Sequence, residues 1–242
     1  MPLEKCRRDL TLPELLGFTS LEVERNFGRF QAIGVTPEMA ESFQAARAYT
    51  RIVDSYIQGV MLKADLTLII DQRNRVHHTI LSLPSAIPAT PSSPSIYHHP
   101  HKIVYEATRL AALIYSVGVI FPLPAGSSPL STLARLVQSI LQLPSSPSSP
   151  SLSFSASTCI WASSPAASTL LFWILVLGGI AAERRPERPW FVTALGHTAR
   201  RASIVSWEEL RRKLEEVLWF DVACEQPGMR LWGEVEDSLL SV

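Results

Sequence analysis

Apolar residues recur at intervals of three and four along most of the chain, which is the pattern of amphipathic helices. The first such segment starts at Thr36, a suitable N-cap residue, with Pro37 at the first helical position. Its apolar stripe predicts a helix over Pro37–Lys63. A second helix is predicted from Leu66 to the Pro84 that stops it. No strand pattern of comparable quality is present, so we expect an all-α fold, an irregular helical bundle.

Three further segments extend this pattern. Tyr105–Ile120 is apolar almost all round, which is typical of a helix packed on several sides. Ser128–Leu143 is amphipathic, and either Ser128 or Ser131 can serve as its cap. Ser206–Asp221 has the clearest helical signature in the chain.

The start of this last helix can be argued residue by residue. Ser206 and Glu209 have the spacing of a capping box, and Val205 and Leu210 have that of a hydrophobic staple. Opposite charges four residues apart are expected to support its exposed face, namely Glu208 with Arg212 and Glu209 with Lys213.

The most apolar stretch, Leu170–Ala182, runs directly into the charged tract Glu183–Trp190. A membrane-spanning helix needs about 20 mostly apolar residues, whereas this uninterrupted run has 13. Gly178 and Gly179 would let another helix approach closely. The stretch therefore favours a buried core helix, and a membrane anchor at residues 170–182 remains the alternative.

Stretches rich in Ser and Pro interrupt the helical pattern. They predict linkers at residues 84–100 and 144–165, because such compositions bury too little apolar surface to order themselves. The expected organisation is a poorly defined N-terminal segment, residues 1–35, and a helical domain over residues 36–242 that these linkers interrupt.

Charge and cysteine content exclude several classes of protein. Lys plus Arg and Asp plus Glu both number 22, so no excess positive charge is available to follow phosphates and direct nucleic-acid binding is not expected.

The three cysteines, Cys6, Cys159 and Cys224, include no Cys-x-x-Cys pair. This argues against a disulfide framework or a cysteine zinc site and indicates a reducing compartment. The first residues lack the apolar run of a secretory signal.

Histidines offer the main candidate for metal chemistry. They cluster at His77, His78, His98, His99 and His101, but without the i, i+4 spacing of a helical zinc site, so structural or solvated roles are favoured. Nucleophile elbows, phosphate loops and dinucleotide fingerprints are also missing from the sequence. We therefore predict no catalytic, cofactor-binding or metal-binding residues and no enzymatic activity. An enzyme whose active-site residues are scattered along the chain is the alternative.

Three other patterns have weaker implications. Arg184, Arg185 and Arg188 could contact phosphate but are better explained as a solvated helix end. Ser-Pro pairs offer possible phosphorylation sites at Ser93, Ser128, Ser146, Ser149 and Ser164. The tryptophans are expected mostly to pack in the core, although they could also line a small-molecule cavity between helices. They are Trp161, Trp173, Trp190, Trp207, Trp219 and Trp232.

Four blocks in order resemble a known family. They are RNRVHHTILSLP (Arg73–Pro84), YEATRLAALIYSVGVIFPLP (Tyr105–Pro124), LLFWILVLGGIAAERRPERPWFV (Leu170–Val192) and SWEELRRKLEEVLWFD (Ser206–Asp221). Together they resemble the C-terminal regulatory region of fungal binuclear zinc-cluster transcription factors, over roughly Leu66 to Glu236.

This resemblance implies a helical, nuclear regulatory protein that acts through protein partners, with zinc-cluster transcription factors as candidates, or through a small effector. It implies no catalysis, no cofactor and no membrane. The family's DNA-binding cluster needs six closely spaced cysteines beside basic residues, whereas only Cys6 with Lys5, Arg7 and Arg8 stands near the start of this sequence. Zinc-cluster binding to DNA is therefore not expected of this chain.

Overall fold

All regular structure in the part of the chain that the structure describes is helical, which confirms the predicted all-α class. The structure is a computed structural model, and it describes residues 13, 16–59, 66–86, 100–124, 127–142 and 158–240. The α-helices in these ranges are α1 Ser20–Gln31, α2 Pro37–Ile57, α3 Leu66–Leu81, α4 Pro100–Tyr115, α5 Ser128–Leu141, α6 Pro165–Ala181, α7 Arg188–Arg201, α8 Trp207–Val217 and α9 Asp221–Leu240. A π-helix, Ser116–Ile120, continues α4, and one helical turn, Thr158–Trp161, precedes α6.

Helix α6 lies at the centre of the bundle. It contacts α1, α4, α5, α7, α8 and α9, and its residues are almost all buried, including every one from Thr169 to Gly179. A helix that is apolar on all sides is stable only when other elements cover all of its faces. The structure therefore confirms that the most apolar stretch of the sequence is a core helix, and it extends the start of that helix back to Pro165.

The other helices surround this centre in pairs. Helix α4 packs against both α5 and α6, α1 packs against α2, α2 packs against α3, and α7 packs against α9. Aromatic rings join the α1–α2 pair to the centre, because Phe43 lies 5.8 Å from Phe27 and 5.4 Å from Trp173 between ring centroids. One apolar core thus runs from α1 through α6 to α9.

Several predicted helix boundaries need correction. Helix α2 ends at Ile57, before Gly59 with its left-handed φ of 72°, instead of at Lys63; residues 60–65 lie outside the described ranges. Helix α4 begins at Pro100, five residues before the predicted start at Tyr105 and at the end of the linker predicted for residues 84–100. Residues 87–99, and 143–157 of the second linker, also fall outside the structure's description.

The cap predicted for α5 is also wrong. Ser127 occupies the N-cap position, so Ser128 is already in the helix and Ser131 lies a turn further on. Ser131 donates its hydroxyl proton to the Ser128 carbonyl, at 3.0 Å, instead of accepting a backbone N–H as a capping residue would.

The predicted start of α8 is confirmed in part. The Ser206 hydroxyl accepts the N–H of Glu209, but the Glu209 carboxylate accepts the N–H of Val205, one residue outside the expected capping box. The Val205 side chain is 77% exposed, so the hydrophobic staple with Leu210 is not formed. On the exposed face Arg212 donates to the backbone carbonyl of Glu208 in place of the predicted ion pair.

Three helices were not predicted from the sequence. Helix α1 has a complete capping box formed by Thr19 and Glu22. Helix α7 follows the charged tract directly, and its first residue is Arg188. Helix α9 contains Pro227, which weakens the helical signal near its start. Each of these helices carries few strongly apolar positions, so packing against α2, α6 and one another stabilises them more than local pattern does.

Candidate functional site

The histidines are in structural or exposed positions. His77 Nδ1 lies 2.6 Å from the Ser116 hydroxyl of the π-helix, and the His77 ring stacks on Phe121. Burial and the neighbouring charge of Arg73 lower the pKa of His77 below its ordinary value, which favours the neutral ring. His78 and His101 are exposed, and His98 and His99 fall outside the described residues.

No group of three or more His, Cys, Asp or Glu side chains that could hold a metal ion was found in the described portion of the chain. The one described cysteine side chain, Cys224 of α9, is buried. Burial raises the pKa of this thiol to about 12, so it stays protonated at neutral pH. Cys224 therefore has the character of a packing residue instead of a nucleophile.

The prediction of a solvated helix end is confirmed for Arg184, which is exposed, but it is wrong for Arg188. Arg188 is only 8% exposed, and its Nη1 donates to the Gly179 carbonyl near the C-terminus of α6, at 2.6 Å. Its Nε and Nη2 donate to the two carboxylate oxygens of Glu234, at 3.0 and 2.7 Å. Arg188 therefore ties the end of α6 to α9. Arg184, by contrast, is exposed.

A second arginine closes the end of another helix. Arg47 of α2 donates to the carbonyls of Glu215, Glu216 and Val217 at the C-terminus of α8, and its guanidinium lies 4.7 Å from the centroid of the Phe27 ring. Burial lowers the pKa of Arg47 to about 10, which still leaves it charged at neutral pH. Arg47 thereby joins α2 to α8.

The tryptophans pack mainly in the core, as predicted. Trp173 is fully buried and donates its indole N–H to the Leu218 carbonyl, at 2.6 Å. Trp207 and Trp219 meet edge to face at 5.8 Å, and both indole N–H groups donate to the carboxylate of Glu225, at 2.7 and 3.4 Å. These contacts connect the start of α8 to Trp219, which follows α8, and to the first turns of α9.

A cleft of about 350 Å³ lies at the N-terminal end of α6. Its walls are the helical turn before α6, the first turns of α6 and the last turn of α7. The residues that line it are Trp161, Ala162, Ser163, Ser164, Pro165, Ser168, Leu171, Thr198, Arg201 and Ala202. A volume of this size is within the range of small-molecule sites, about 300–1,000 Å³.

One buried side chain of this cleft has a hydrogen-bond donor without an acceptor. Trp161 is 2% exposed, and its indole N–H has no hydrogen-bond acceptor. The other tryptophans described above all donate to an oxygen of the protein. A buried donor without an acceptor is unfavourable and uncommon in native proteins. In the sequence, Trp161 is only one of six tryptophans, and no local pattern indicates this cleft.

A second groove, of about 380 Å³, lies where the starts of α2 and α4 meet. Beside it, Glu106 of α4 is buried and accepts hydrogen bonds from Arg109, the Ala86 N–H and the Ser85 hydroxyl. Burial alone would raise the pKa of Glu106. The hydrogen bonds and the charge of Arg109 lower it by more than burial raises it, so the pKa is below its ordinary value. Glu106 therefore stays ionised and holds the chain after α3 against α4.

Among the described helices, the segment Pro100–Ile120 is long and apolar enough to cross a membrane by length and composition alone. Of its most apolar window, 72% is buried inside the protein. Core helices of soluble proteins pass the same test, so this segment is weak evidence for a membrane span. The stretch that raised the question in the sequence, Leu170–Ala182, belongs to a shorter helix that the bundle surrounds.

One comparison with known proteins found a match. The model of the family described as fungal specific transcription factor domain matches residues 32–219, which include α2 to α8. Searches of curated proteins and of solved structures found no significant match.

Proposed function

Because the chain belongs to the family of the fungal specific transcription factor domain, we propose that it modulates transcription in the nucleus through protein partners, without contacting DNA itself and without catalysing a reaction. The family match over residues 32–219, more than half of the chain, is the observation that carries this proposal. Zinc-cluster transcription factors are the partners we propose first, because the resemblance of the four sequence blocks implies a regulatory region that follows a zinc-cluster module in full-length members of that family.

The charge distribution supports the part of the proposal that concerns DNA. The formal net charge is zero, and many arginines already bind carboxylates or carbonyls of this chain. They include Arg29, Arg47, Arg75, Arg109, Arg188, Arg211 and Arg230. A protein that binds DNA needs clustered cations that are free to replace counterions on phosphates. Arginines held in this way are poorly suited to that role.

Fusion of the chain to an unrelated DNA-binding domain tests the regulatory role directly. We expect a reporter gene with the matching DNA site to change its expression several-fold when the chain is attached. The Trp173→Ala variant, which removes a fully buried ring from the core, should lose this effect, and the exposed-site variant Arg200→Ala should keep it. Reporter expression equal to that of the DNA-binding domain alone would contradict the proposal.

Affinity purification of the tagged chain from nuclear extract, followed by mass spectrometry, tests the choice of partner. We expect a zinc-cluster transcription factor to be retained by the wild-type chain and by Arg200→Ala, but not by Trp173→Ala. Retention of no such factor, with the chain located outside the nucleus, would count against both the partner and the proposed location.

Binding of the purified chain to duplex DNA provides a third test. We expect no tight binding at physiological salt. Tight binding whose affinity falls steeply between about 50 and 200 mM salt would show that phosphate contacts are made after all.

A further inference from the structure

We propose that the cleft at the N-terminal end of α6 binds a small organic acid with an apolar body, with the Trp161 indole N–H and the Arg201 guanidinium as its hydrogen-bond donors. The cleft joins two segments that are distant in sequence, residues 161–171 and residues 198–202. The binding of such a molecule is a property of the cleft itself, whereas its role as an effector rests on the proposed function in transcription.

Some polar groups of the cleft already form hydrogen bonds within the protein, and others do not. The Ser163 hydroxyl donates to the Ile160 carbonyl at 2.6 Å, and the Thr198 hydroxyl donates to the Ala194 carbonyl at 2.8 Å. The Ser164 hydroxyl accepts the Ala167 N–H as the cap of α6. The Trp161 indole N–H, by contrast, is buried and has no acceptor. Because the nitrogen is shielded from solvent, a ligand that brings an acceptor would satisfy this donor when the Trp161 ring turns its N–H toward the cleft.

The electrostatic character of the cleft favours an anion. Arg201 lines it, and none of the described residues that line it carries a carboxylate. The first turn of α6, at Ser164 and Pro165, presents the positive end of a 17-residue helix to it. A carboxylate is a small anion that accepts hydrogen bonds from both indole and guanidinium groups.

A helix C-terminus with unsatisfied carbonyls carries partial negative charge, which would repel an anion. The C-terminal end of α7 adjoins the cleft, but most of its last carbonyls are hydrogen-bonded. The carbonyl of Thr198 accepts the Ala202 N–H, that of Ala199 accepts the Ile204 N–H, and that of Arg200 accepts the Ser203 N–H. The left-handed φ of Ser203, 55°, makes this closure possible. With these carbonyls satisfied, Arg201 is the main charge that the end of α7 contributes to the cleft.

The remaining lining sets the shape of the ligand. The Trp161 ring, Pro165 and Leu171 provide apolar surface, and Ala162 and Ala202 keep the cleft open because their side chains are small. Apolar walls with a few convergent polar groups are characteristic of small-molecule sites. An acid with a short aromatic or aliphatic body therefore matches the cleft better than a phosphate or a strongly polar metabolite.

The experiment titrates the full chain with benzoate, 3-phenylpropionate, 4-phenylbutyrate and octanoate, and with 4-phenylbutyramide as the uncharged control. The indole N–H resonances are followed by NMR, and the Trp161 resonance is assigned by its loss in Trp161→Phe. We expect at least one acid to shift this resonance saturably, the amide to bind at least about tenfold more weakly, and Arg201→Gln to weaken the acid about tenfold, since hydrogen bonds to charged groups are the strong ones.

Arg200→Gln is the matched control, because Arg200 stands beside Arg201 in the last turn of α7 but does not line the cleft. It should leave affinity within about twofold of the wild type, whereas Trp161→Phe, which keeps a ring but removes the donor, should weaken binding about fivefold. No saturable shift with any of the four acids at millimolar concentration, or equal effects of Arg200→Gln and Arg201→Gln, would overturn the proposal.

The reporter experiment separates this site from the proposed function. An acid that binds at Trp161 but leaves reporter expression unchanged would keep the site and exclude its role as an effector site. Reporter activity without binding of any acid would overturn the site and leave the regulatory role intact.

Discussion

The two ends of helix α6 are completed in opposite ways. At the C-terminal end Arg188 donates to the Gly179 carbonyl and to both carboxylate oxygens of Glu234, so each of its hydrogen-bonding nitrogens has an acceptor. At the N-terminal end the buried indole N–H of Trp161 has none, and an open cleft adjoins it. One helix thus has a closed end and an open end.

This difference indicates which end contributes to stability and which end is available for binding. A buried arginine that has an acceptor at each of its three nitrogens stabilises the packing of α6 against α9, and three of its five N–H donors are already bound within the protein. A buried donor without an acceptor reduces stability. Unsatisfied buried groups are rare in native proteins and are expected mainly at functional sites.

Trp173→Ala should affect both ends, because Trp173 anchors the middle of α6 between Phe43 and Tyr115. Loss of this fully buried ring should lower the free energy of unfolding by about 4 kcal/mol, as measured by urea denaturation. Trp190→Ala is the control, because the Trp190 side chain is only partly buried. A smaller loss in Trp173→Ala than in Trp190→Ala would show that α6 is not the centre of the core.

Arg188→Met should weaken the closed end alone. The substitution removes the donors to Gly179 and Glu234, and we expect the free energy of unfolding to fall by about 3 kcal/mol. Glu234→Gln should cost less, about 1 kcal/mol, because the Gln oxygen can still accept from Arg188 and the bond from Arg188 to the Gly179 carbonyl stays intact. If the two variants were equally destabilised, the bond to the Gly179 carbonyl would contribute nothing.

Gly178→Ala tests how closely the closed end is packed. A Cβ atom at this position would lie 2.4 Å from Cε1 of the buried Phe191 ring, so we expect a loss of about 2 kcal/mol in urea denaturation. Gly233→Ala in α9 is the matched control, because no atom lies within 4 Å of the added carbon. That variant should be neutral or more stable by about 1 kcal/mol, and destabilisation equal to that of Gly178→Ala would argue against close packing at Phe191.

Trp161→Phe should have the smallest effect, a change of about 0.5 kcal/mol or less in either direction. The lost packing of the larger ring is offset by removal of an unsatisfied donor. Trp173→Phe is the comparison, because it breaks a bond to the Leu218 carbonyl and should cost about 2 kcal/mol more, as measured by urea denaturation. Equal effects of the two substitutions would show that the Trp161 indole N–H contributes as much to stability as the bonded N–H of Trp173, which contradicts an unsatisfied donor at the open end.

The helices that the sequence predicted are those with a strong local pattern. The all-round apolar character of residues 170–182 identified a core helix, and the Ser206 cap located the start of α8. Helix α9 was missed because Pro227 weakens its pattern, although Cys224, Leu231 and Val235 recur at helical spacing. Its stability depends on packing against α7 and α6, which no local pattern reveals.

The sequence by itself determined the helical class, the central helix and the absence of catalytic motifs, because helix hydrogen bonds and amphipathic periodicity are local properties of the chain. Only the tertiary structure decided that Arg188 is buried against Glu234 and that Trp161 and Arg201 share a cleft. Those pairs are 46 and 40 residues apart in the sequence. Their meeting follows from how α6, α7 and α9 pack, since burial and hydrogen-bond satisfaction depend on neighbours that the fold brings together.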